Sequence, residues 1–206
     1  VVFRDTLYLG TNQGVYFKPN KSNTEFQQIV NTKGQVWSLK VFNNTLFCAH
    51  NFGVYTIDGS SARLIFGGYG VWTFLENPIQ KDQLLVGTYQ GLANIVRSKD
   101  GLWVLDKIKG FNISSRNIAA DTLGNIWVSH EYKGVYQLKT DSSYRSVEEV
   151  PNNFSLRKSK NASVTNFQNH ILFADAEGIF SFDYGLKQFA KNDFFSELID
   201  PTGFLS

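Results

Sequence analysis

The sequence has 206 residues, of which 15% are aromatic and 17 are glycine, while methionine is absent. Aromatic and β-branched residues fit a pleated surface and glycine suits tight turns, so this composition favours strands over helices. A net charge of +2 gives no strong field for nucleic acid. No apolar run reaches the roughly 18 residues of a transmembrane helix, so we expect no membrane span in this segment.

The predicted strands begin at the N-terminus, where residues 1–5 match the end of a first strand. Five similar hairpins follow, each with an apolar run, a polar tip, a glycine and a second apolar run. Their glycines are spaced by 39, 38, 43 and 44 residues: Gly14, Gly53, Gly91, Gly134 and Gly178. A period near 40 residues with several short strands per unit is typical of a β-propeller blade.

Two further strands per unit are predicted around these hairpins. A first strand precedes four of them, at residues 35–42, 70–76, 116–121 and 163–167. A fourth strand follows each one, at residues 25–30, 63–66, 103–108, 147–150 and 187–190. Four sequential strands form an antiparallel sheet whose two apolar faces must stack on neighbouring sheets. The sequence therefore predicts an all-β propeller of four-stranded blades.

The chain ends suggest how many blades this region contains. Residues 1–206 are predicted as a single propeller region of about five blades, cut within a blade at both ends. Residues 197–206 resemble residues 118–129, where a chain enters a second strand. Either this C-terminal strand closes a five-bladed ring, or the chain is a fragment of a larger propeller. We favour the fragment, because natural chain ends usually lie outside a packed unit.

One segment carries a pattern seen in a known repeat family. Residues 121–136 contain D-x-x-G-N-I-W-V-S followed by G-V-Y, and the first and third hairpins contain G-T-x-x-G. This pattern resembles the two-component-regulator propeller repeat of Bacteroidetes hybrid two-component proteins and of LuxR-type helix-turn-helix regulators. Some copies depart from it, since His50, His130 and Asp175 stand where the pattern has threonine.

The resemblance implies a periplasmic sensor region that recognises an external signal, often a polysaccharide breakdown product. In such proteins the propellers precede a tyrosine-rich sandwich domain, a membrane span and a cytoplasmic signalling module. The remaining blades and these downstream domains are the expected partners, and a homodimer is a further candidate.

No enzyme signature or metal motif is evident in the sequence. The aspartates at strand ends, where Asp commonly hydrogen-bonds its own backbone, are predicted turn residues: Asp121, Asp175, Asp183 and Asp200. Glu131 and Glu177 could face one opening, but we do not favour them as a catalytic pair. The three histidines, His50, His130 and His170, lack the spacing of metal ligands. We therefore predict no catalytic residue, no metal and no cofactor.

The candidate ligand site is the face on which hairpin tips and interblade loops converge. The tips differ between copies, and their variable residues are candidate ligand-binding residues: Thr11, His50, Thr88, His130 and Asp175. The interblade loops add Gln35, Tyr69, Arg116 and Asn161, with Gln35 and Arg116 nearest the central opening. Such a mixture suits a neutral or acidic polyhydroxylated ligand. Trp37 and Trp72 are expected to pack between blades instead of stacking on a sugar.

Three functions stay open at this stage. The first is a non-enzymatic, periplasmic ligand-recognition region of a transmembrane signalling or transcription regulator, responding to a carbohydrate or other small molecule. The second is a protein-interaction scaffold, for which an exposed apolar patch would argue. The third is a propeller lyase or glycosidase. The fold alone cannot distinguish them, because propellers serve all three functions.

Overall fold

The computed structural model describes residues 1–130, 132–151, 162–175 and 177–196. These residues form five four-stranded antiparallel sheets, each built from strands that are consecutive in sequence. The helical elements among them are a short helix, α1 (Asp193–Ser196), and a 3-10 turn at Val30–Thr32. The predicted all-β architecture is confirmed, and the five sheets are consecutive blades of a partial β-propeller.

The blades are numbered one to five in chain order. Blade one has β1 (Val2–Phe3), β2 (Thr6–Thr11), β3 (Gly14–Pro19) and β4 (Gln27–Gln28). Blade two has β5 (Val36–Phe42), β6 (Thr45–His50), β7 (Gly53–Asp58) and β8 (Ser61–Gly67). Blade three has β9 (Val71–Glu76), β10 (Leu84–Thr88), β11 (Gly91–Arg97) and β12 (Trp103–Lys107). Blade four has β13 (Asn117–Ala120), β14 (Ile126–His130), β15 (Gly134–Thr140) and β16 (Val147–Glu149). Blade five has β17 (Ser163–Phe167), β18 (His170–Asp175), β19 (Gly178–Asp183) and β20 (Gln188–Lys191).

Every strand predicted within the described residues is present, and the largest difference lies in the outer strand of blade one. A strand was expected over residues 25–30, but β4 covers only two residues before the 3-10 turn. The turn places the Thr32 side chain against the sheet, where its hydroxyl donates to Ile29 O at 2.7 Å and accepts from Val15 N at 3.0 Å. Thr32 thus replaces a strand residue as hydrogen-bonding partner of β3.

Apolar packing joins each blade to the next one. Four clusters of buried side chains are found among the described residues, and each contains residues from two consecutive blades. Representative members, in chain order of the junctions, are Tyr8 with Leu46, Phe47 with Phe74, Leu85 with Val128, and Trp127 with Phe173. One sheet alone would expose both apolar faces to water, so the repeat is required for burial.

One carboxylate organises the segment of blade four that contains the D-x-x-G-N-I-W pattern. Asp121, which is nearly fully buried, accepts hydrogen bonds from the backbone N–H groups of Leu123 and Asn125 at 3.0 and 2.9 Å. It also accepts from the Asn125 side chain at 2.9 Å and from the Trp127 indole at 3.0 Å. The predicted turn role of Asp121 is confirmed, and the spacing of D-x-x-G-N-I-W follows from this one turn.

The five hairpin tips share one hydrogen-bonding pattern despite their different residues. In each tip, a side-chain acceptor at the end of the second strand binds the backbone N–H two residues farther on. The acceptors are Thr11 Oγ1, His50 Nδ1, Thr88 Oγ1, His130 Nδ1 and Asp175 Oδ1, at distances of 3.1, 3.1, 3.1, 3.2 and 2.8 Å. These side chains mimic a backbone turn, as short polar side chains commonly do.

A glycine closes the hairpin after each tip. Gly91, for example, has φ of +119°, and a Cβ atom on it would overlap the backbone carbonyl of Phe111. Both the left-handed backbone conformation and the close approach of the Phe111 segment therefore demand glycine. The repeated glycine reports the hairpin geometry and is not by itself a sign of function.

We predict that replacing Thr88 with valine lowers the free energy of unfolding by about 1–2 kcal/mol, because its buried hydroxyl makes two hydrogen bonds. The hydroxyl donates to Gly91 O at 2.9 Å and accepts from Gln90 N at 3.1 Å, and Thr88 is 1% exposed. Thr11→Val is the matched control, since Thr11 makes the same two bonds in blade one but is more exposed. Urea unfolding should show a smaller loss for the control. An unchanged midpoint for Thr88→Val would contradict the turn role.

The tip of blade two differs in that its imidazole is wholly buried. His50 is 0% exposed, and its ring lies 5.3 Å from the ring of Phe52 and 5.2 Å from that of Tyr55. Gly34 covers the ring edge so closely that a Cβ atom there would lie 2.8 Å from His50 Cε1. Burial lowers the pKa of His50 below its ordinary value, and the nearby Thr32 backbone partly offsets the effect. The folded state therefore favours the neutral imidazole.

This burial predicts a pH dependence of stability. The unfolded chain takes up a proton on His50 below the ordinary histidine pKa of about 6.5. The contribution of the buried neutral imidazole to the free energy of unfolding is therefore complete above that pH. It is lost as the pH falls through the lowered folded-state pKa, with a slope of up to about 1.4 kcal/mol per pH unit. His50→Asn keeps an acceptor for Phe52 N but does not titrate. Urea unfolding from about pH 5 to 8 should give a flatter profile for this variant. Parallel profiles would contradict the prediction.

Candidate functional site

The five predicted tip residues all take part in their own turns. His50 and Thr88 are buried, whereas Thr11, His130 and Asp175 are partly exposed. Only His130 of this set lines the cleft described below. A ligand-binding role for the tips stays a prediction, and their shared hydrogen bonds give each of them a structural role.

The predicted interblade residues occupy different surroundings. Gln35 is partly buried, and its backbone N–H donates to Asn51 Oδ1 at 3.0 Å. Tyr69 packs edge-on against Phe66, with ring centroids 4.8 Å apart. Arg116 is exposed and lies against Trp72, which places it in the cleft with His130. Two of the predicted candidates, Arg116 and His130, therefore line the same cleft.

Several predicted features lie outside the described residues. They are Asn161, Glu131, the turn residue Asp200 and the strand entry expected over residues 197–206. Within the described ranges, no group of three potential metal ligands occurs and no helix is long and apolar enough to cross a membrane.

The innermost strands of blades two and three each contain a β-bulge at a tryptophan. In β5, Val36 pairs with His50 and Ser38 with Ala49, which leaves Trp37 as the extra residue. In β9 the pairing likewise passes from Val71 to Thr73 and leaves Trp72 unpaired in the ladder. A bulge inserts one extra residue into a strand, and the side chain of that residue no longer follows the alternation between the two faces of the sheet. Both indoles are thereby taken out of the apolar clusters between the blades.

Blade four presents an arginine at the same register position. Asn117 pairs with Ser129 just as Ser38 pairs with Ala49 in blade two, so Arg116 is the counterpart of Trp37 and Trp72. The three side chains come from consecutive blades. The centroids of the two indole rings are 4.6 Å apart, and the Arg116 guanidinium carbon lies 5.4 Å from the centre of the Trp72 ring.

A tyrosine from the tip of blade three completes what we call the bulge ladder: Trp37, Trp72, Tyr89 and Arg116. Tyr89 stacks on Trp72 with centroids 4.3 Å apart, and its hydroxyl accepts the Trp37 indole N–H at 2.8 Å. The ring lies so close to Gly70 that a Cβ atom there would collide with it. The Trp72 indole N–H is bound by Ser114 Oγ at 2.9 Å. The Trp37 indole is thus held by a residue of blade three, and the Trp72 indole by a residue of the loop that leads into blade four.

A cleft of about 200 Å³ opens beside the ladder, between blades three and four. Its walls combine aromatic, hydroxyl, amide and charged groups: Trp72, Ser114, Arg116, Asn117, Ser129, His130 and Tyr132. Tyr132 is 65% exposed and has its ring 6.3 Å from that of His130. An aromatic surface bordered by a few polar groups is the usual composition of a small-molecule site.

A second, larger cleft of about 460 Å³ lies at the outer rim, between blades one and two. Amide, hydroxyl and aliphatic groups dominate its walls, and Asn31 bridges it by donating to Ala62 O at 2.6 Å. No charged side chain lines it among the described residues. The cleft beside the bulge ladder is therefore the stronger candidate site.

The sequence interpretation missed the main aromatic members of this site. Trp37 and Trp72 do lie at junctions between blades, as expected, but they retain exposed surface and stand outside the apolar clusters. Tyr89 and Tyr132 were not singled out. The available signal was the recurrence of tryptophan near the start of two consecutive first strands, but no residue pattern marks a bulge.

No family model matches the chain, and no curated protein matches it by sequence. Solved structures do match. The extracellular domain of the putative hybrid two component system BT4673 from B. thetaiotaomicron is 14% identical, with a TM-score of 0.65. The alignment covers 93% of this chain and 26% of that one.

Two further matches show that proteins with different roles share this fold. The extracellular domain of the putative hybrid two component system BT3049, from the same organism, is 15% identical with a TM-score of 0.55, covering 82% of this chain and 24% of that one. An inactive variant of virginiamycin B lyase from Staphylococcus aureus is 11% identical with a TM-score of 0.61, covering 89% of this chain and 65% of that one.

At these identities the matches show the fold alone. The chain spans about a quarter of the length of the two extracellular domains. It has the fold of part of a β-propeller, and its structural neighbours include extracellular domains of Bacteroides hybrid two-component systems, consistent with the resemblance to their propeller repeats.

Proposed function

We propose that this chain is the ligand-recognition part of a non-enzymatic sensor propeller, located in the periplasm and belonging to a transmembrane signalling or transcription regulator. Its ligand is a carbohydrate or other small molecule, bound beside the bulge ladder. The remaining blades and downstream domains of the parent protein are its structural partners. The extracellular domains among the structural neighbours support the setting, and the ladder supports the binding role.

The single observation behind the binding role is the fixed and exposed aromatic surface at the inner strands. Trp37 is 38% exposed, whereas tryptophan side chains are highly buried on average. Its indole is nonetheless held by Tyr89, so the ring does not have to be ordered when a ligand arrives. Preorganisation of this kind lowers the entropic cost of binding.

The chemistry of the surroundings suits a polyhydroxylated ligand. Indole and phenol rings offer flat apolar faces to the C–H groups of a sugar ring, whereas Ser114, Asn117 and Arg116 line the same cleft with hydrogen-bonding groups. Binding at this position would contact blades three and four together. A ligand would therefore stabilise their junction, which is a way to transmit occupancy through the fold.

We expect at least one member of an oligosaccharide and small-molecule panel to raise the melting temperature of the chain and to bind in calorimetry. Trp72→Ala and Tyr132→Ala should each weaken that binding by about tenfold, because both aromatic side chains line the cleft and truncated aromatic anchors commonly cost more than 1 kcal/mol. Phe194→Ala removes a 70% exposed aromatic side chain of α1, which follows blade five, and should leave affinity unchanged.

Two results would contradict the proposed function. Absence of any thermal shift or binding heat across the panel would remove the binding role. Release of a product from a bound glycan, followed by chromatography of the mixture, would show an enzyme in place of a sensor.

A further inference from the structure

We propose that the outer-rim cleft between blades one and two is a second ligand site, and that its ligand is a neutral, polyhydroxylated molecule of one or two sugar rings. The site does not rest on the proposed function, because this cleft shares no lining residue with the cleft beside the bulge ladder. Three features support the site: the way the cleft is formed, the chemistry of its walls and its size.

The cleft lies where blade one lacks most of an outer strand. β4 has two residues, whereas the outer strands of blades two to five have between three and seven. The 3-10 turn at Val30–Thr32 replaces the rest of the strand, and Val30 and Asn31 of this turn line the cleft. The described parts of the other four blades contain no such turn. The opening therefore follows from a local feature of blade one.

Two hydrogen bonds between the blades hold the walls of this cleft in place. The Tyr8 hydroxyl of blade one donates to Gly59 O at 3.1 Å, directly before the lining residue Ser60. The Asn31 side chain donates to Ala62 O at 2.6 Å, and both of these residues line the cleft. A preformed cleft binds a ligand at a lower entropic cost than one that must first be ordered.

The walls offer hydrogen-bonding groups that the protein itself does not use. Gln27, Ser60 and Ser61 are exposed, and no hydrogen bond to another described residue engages the Gln27 amide or the two serine hydroxyls. Amides and hydroxyls both donate and accept, as the hydroxyls of a sugar do. Phe17 adds a partly exposed aromatic ring, which packs against the buried Tyr8 with centroids 6.4 Å apart. Such a ring offers an apolar face to the C–H groups of a sugar.

The lack of charge in the walls indicates a neutral ligand. The two segments that form the cleft, residues 17–31 and 58–62, are described without a gap, and no charged side chain in them lines the cleft. Asp58, which precedes the wall formed by Ser60 and Ser61, is paired with Arg4 at 3.1 Å. A charged ligand would find no unpaired opposite charge among these lining residues, whereas a neutral one can use every polar group.

The size of the cleft favours a compact ligand. Its volume of about 460 Å³ lies within the roughly 300–1,000 Å³ of small-molecule sites, which gives room for one or two sugar rings. An extended peptide would instead have to add to the outer edge of β8. The Asn31 side chain already binds the carbonyl of Ala62 near the start of that strand, so the edge is partly occupied.

The test follows the alanine methyl signals of the intact chain in a two-dimensional carbon–proton spectrum during titration with neutral disaccharides: cellobiose, maltose, lactose and xylobiose. Ala62 lines the cleft, whereas Ala93 and Ala119 are buried in blades three and four and serve as internal controls. At least one disaccharide should shift the Ala62 signal and leave the control signals in place. Because no ion pair is involved, raising the ionic strength should change the affinity by less than about twofold.

Variants assign the binding to the walls of this cleft. Gln27→Ala combined with Ser61→Ala should weaken the binding by about tenfold, because each change removes a hydrogen bond between neutral groups. Gln188→Ala is the matched control, since Gln188 is also an exposed glutamine of an outer strand, β20 of blade five. The affinity should stay unchanged in this control.

The outcomes separate the rim site from the proposed function. Failure of all four disaccharides to shift the Ala62 signal would overturn the rim site, as would an unchanged affinity in the Gln27→Ala, Ser61→Ala double variant. The cleft beside the bulge ladder is followed independently through the indole signal of Trp72, which lines that cleft. Each site can therefore fail while the other stands.

Discussion

The burial of each sheet against the next is the interaction on which the rest of the structure depends. Four apolar clusters join five blades in sequence, and each cluster takes residues from two sheets. This requirement explains why side chains alternate between the two faces of each sheet and why glycine-closed hairpins join the strands. It also aligns equivalent positions of neighbouring blades, so that one register position can place side chains from three blades side by side.

The bulge ladder is a local departure from that alternation. In a regular strand, Trp37 and Trp72 would follow the alternation of side chains between the two faces of the sheet. Because each tryptophan is the extra residue of a bulge, its side chain is turned out of the clusters. Hydrogen bonds to the Tyr89 side chain of the blade three tip and to the Ser114 side chain of the loop before blade four then fix the two indoles. The stability of the fold comes from the clusters, and the proposed binding surface comes from positions that the clusters exclude.

Much of the fold, and less of the site, could be predicted from the sequence. Repeated glycines and alternating apolar residues report hairpins directly, which is why the blades were predicted correctly. Variation at the tips suggested function, yet Thr88 and His50 differ in chemistry and still accept the same backbone hydrogen bond. Bulges depend on the pairing register of two strands, so the position shared by Trp37, Trp72 and Arg116 became visible only in three dimensions.

The most direct test of the account follows the four indole N–H signals of the chain in a two-dimensional nitrogen–proton spectrum during titration with a panel member that raises its melting temperature. Trp103 and Trp127 donate to Thr45 and Asp121, away from the ladder, and serve as internal controls. If ligand binds beside the bulge ladder, the signals of Trp72 and Trp37 shift while those two stay in place. Movement of the Trp103 or Trp127 signal, with Trp37 and Trp72 unchanged at saturation, would contradict the central claim.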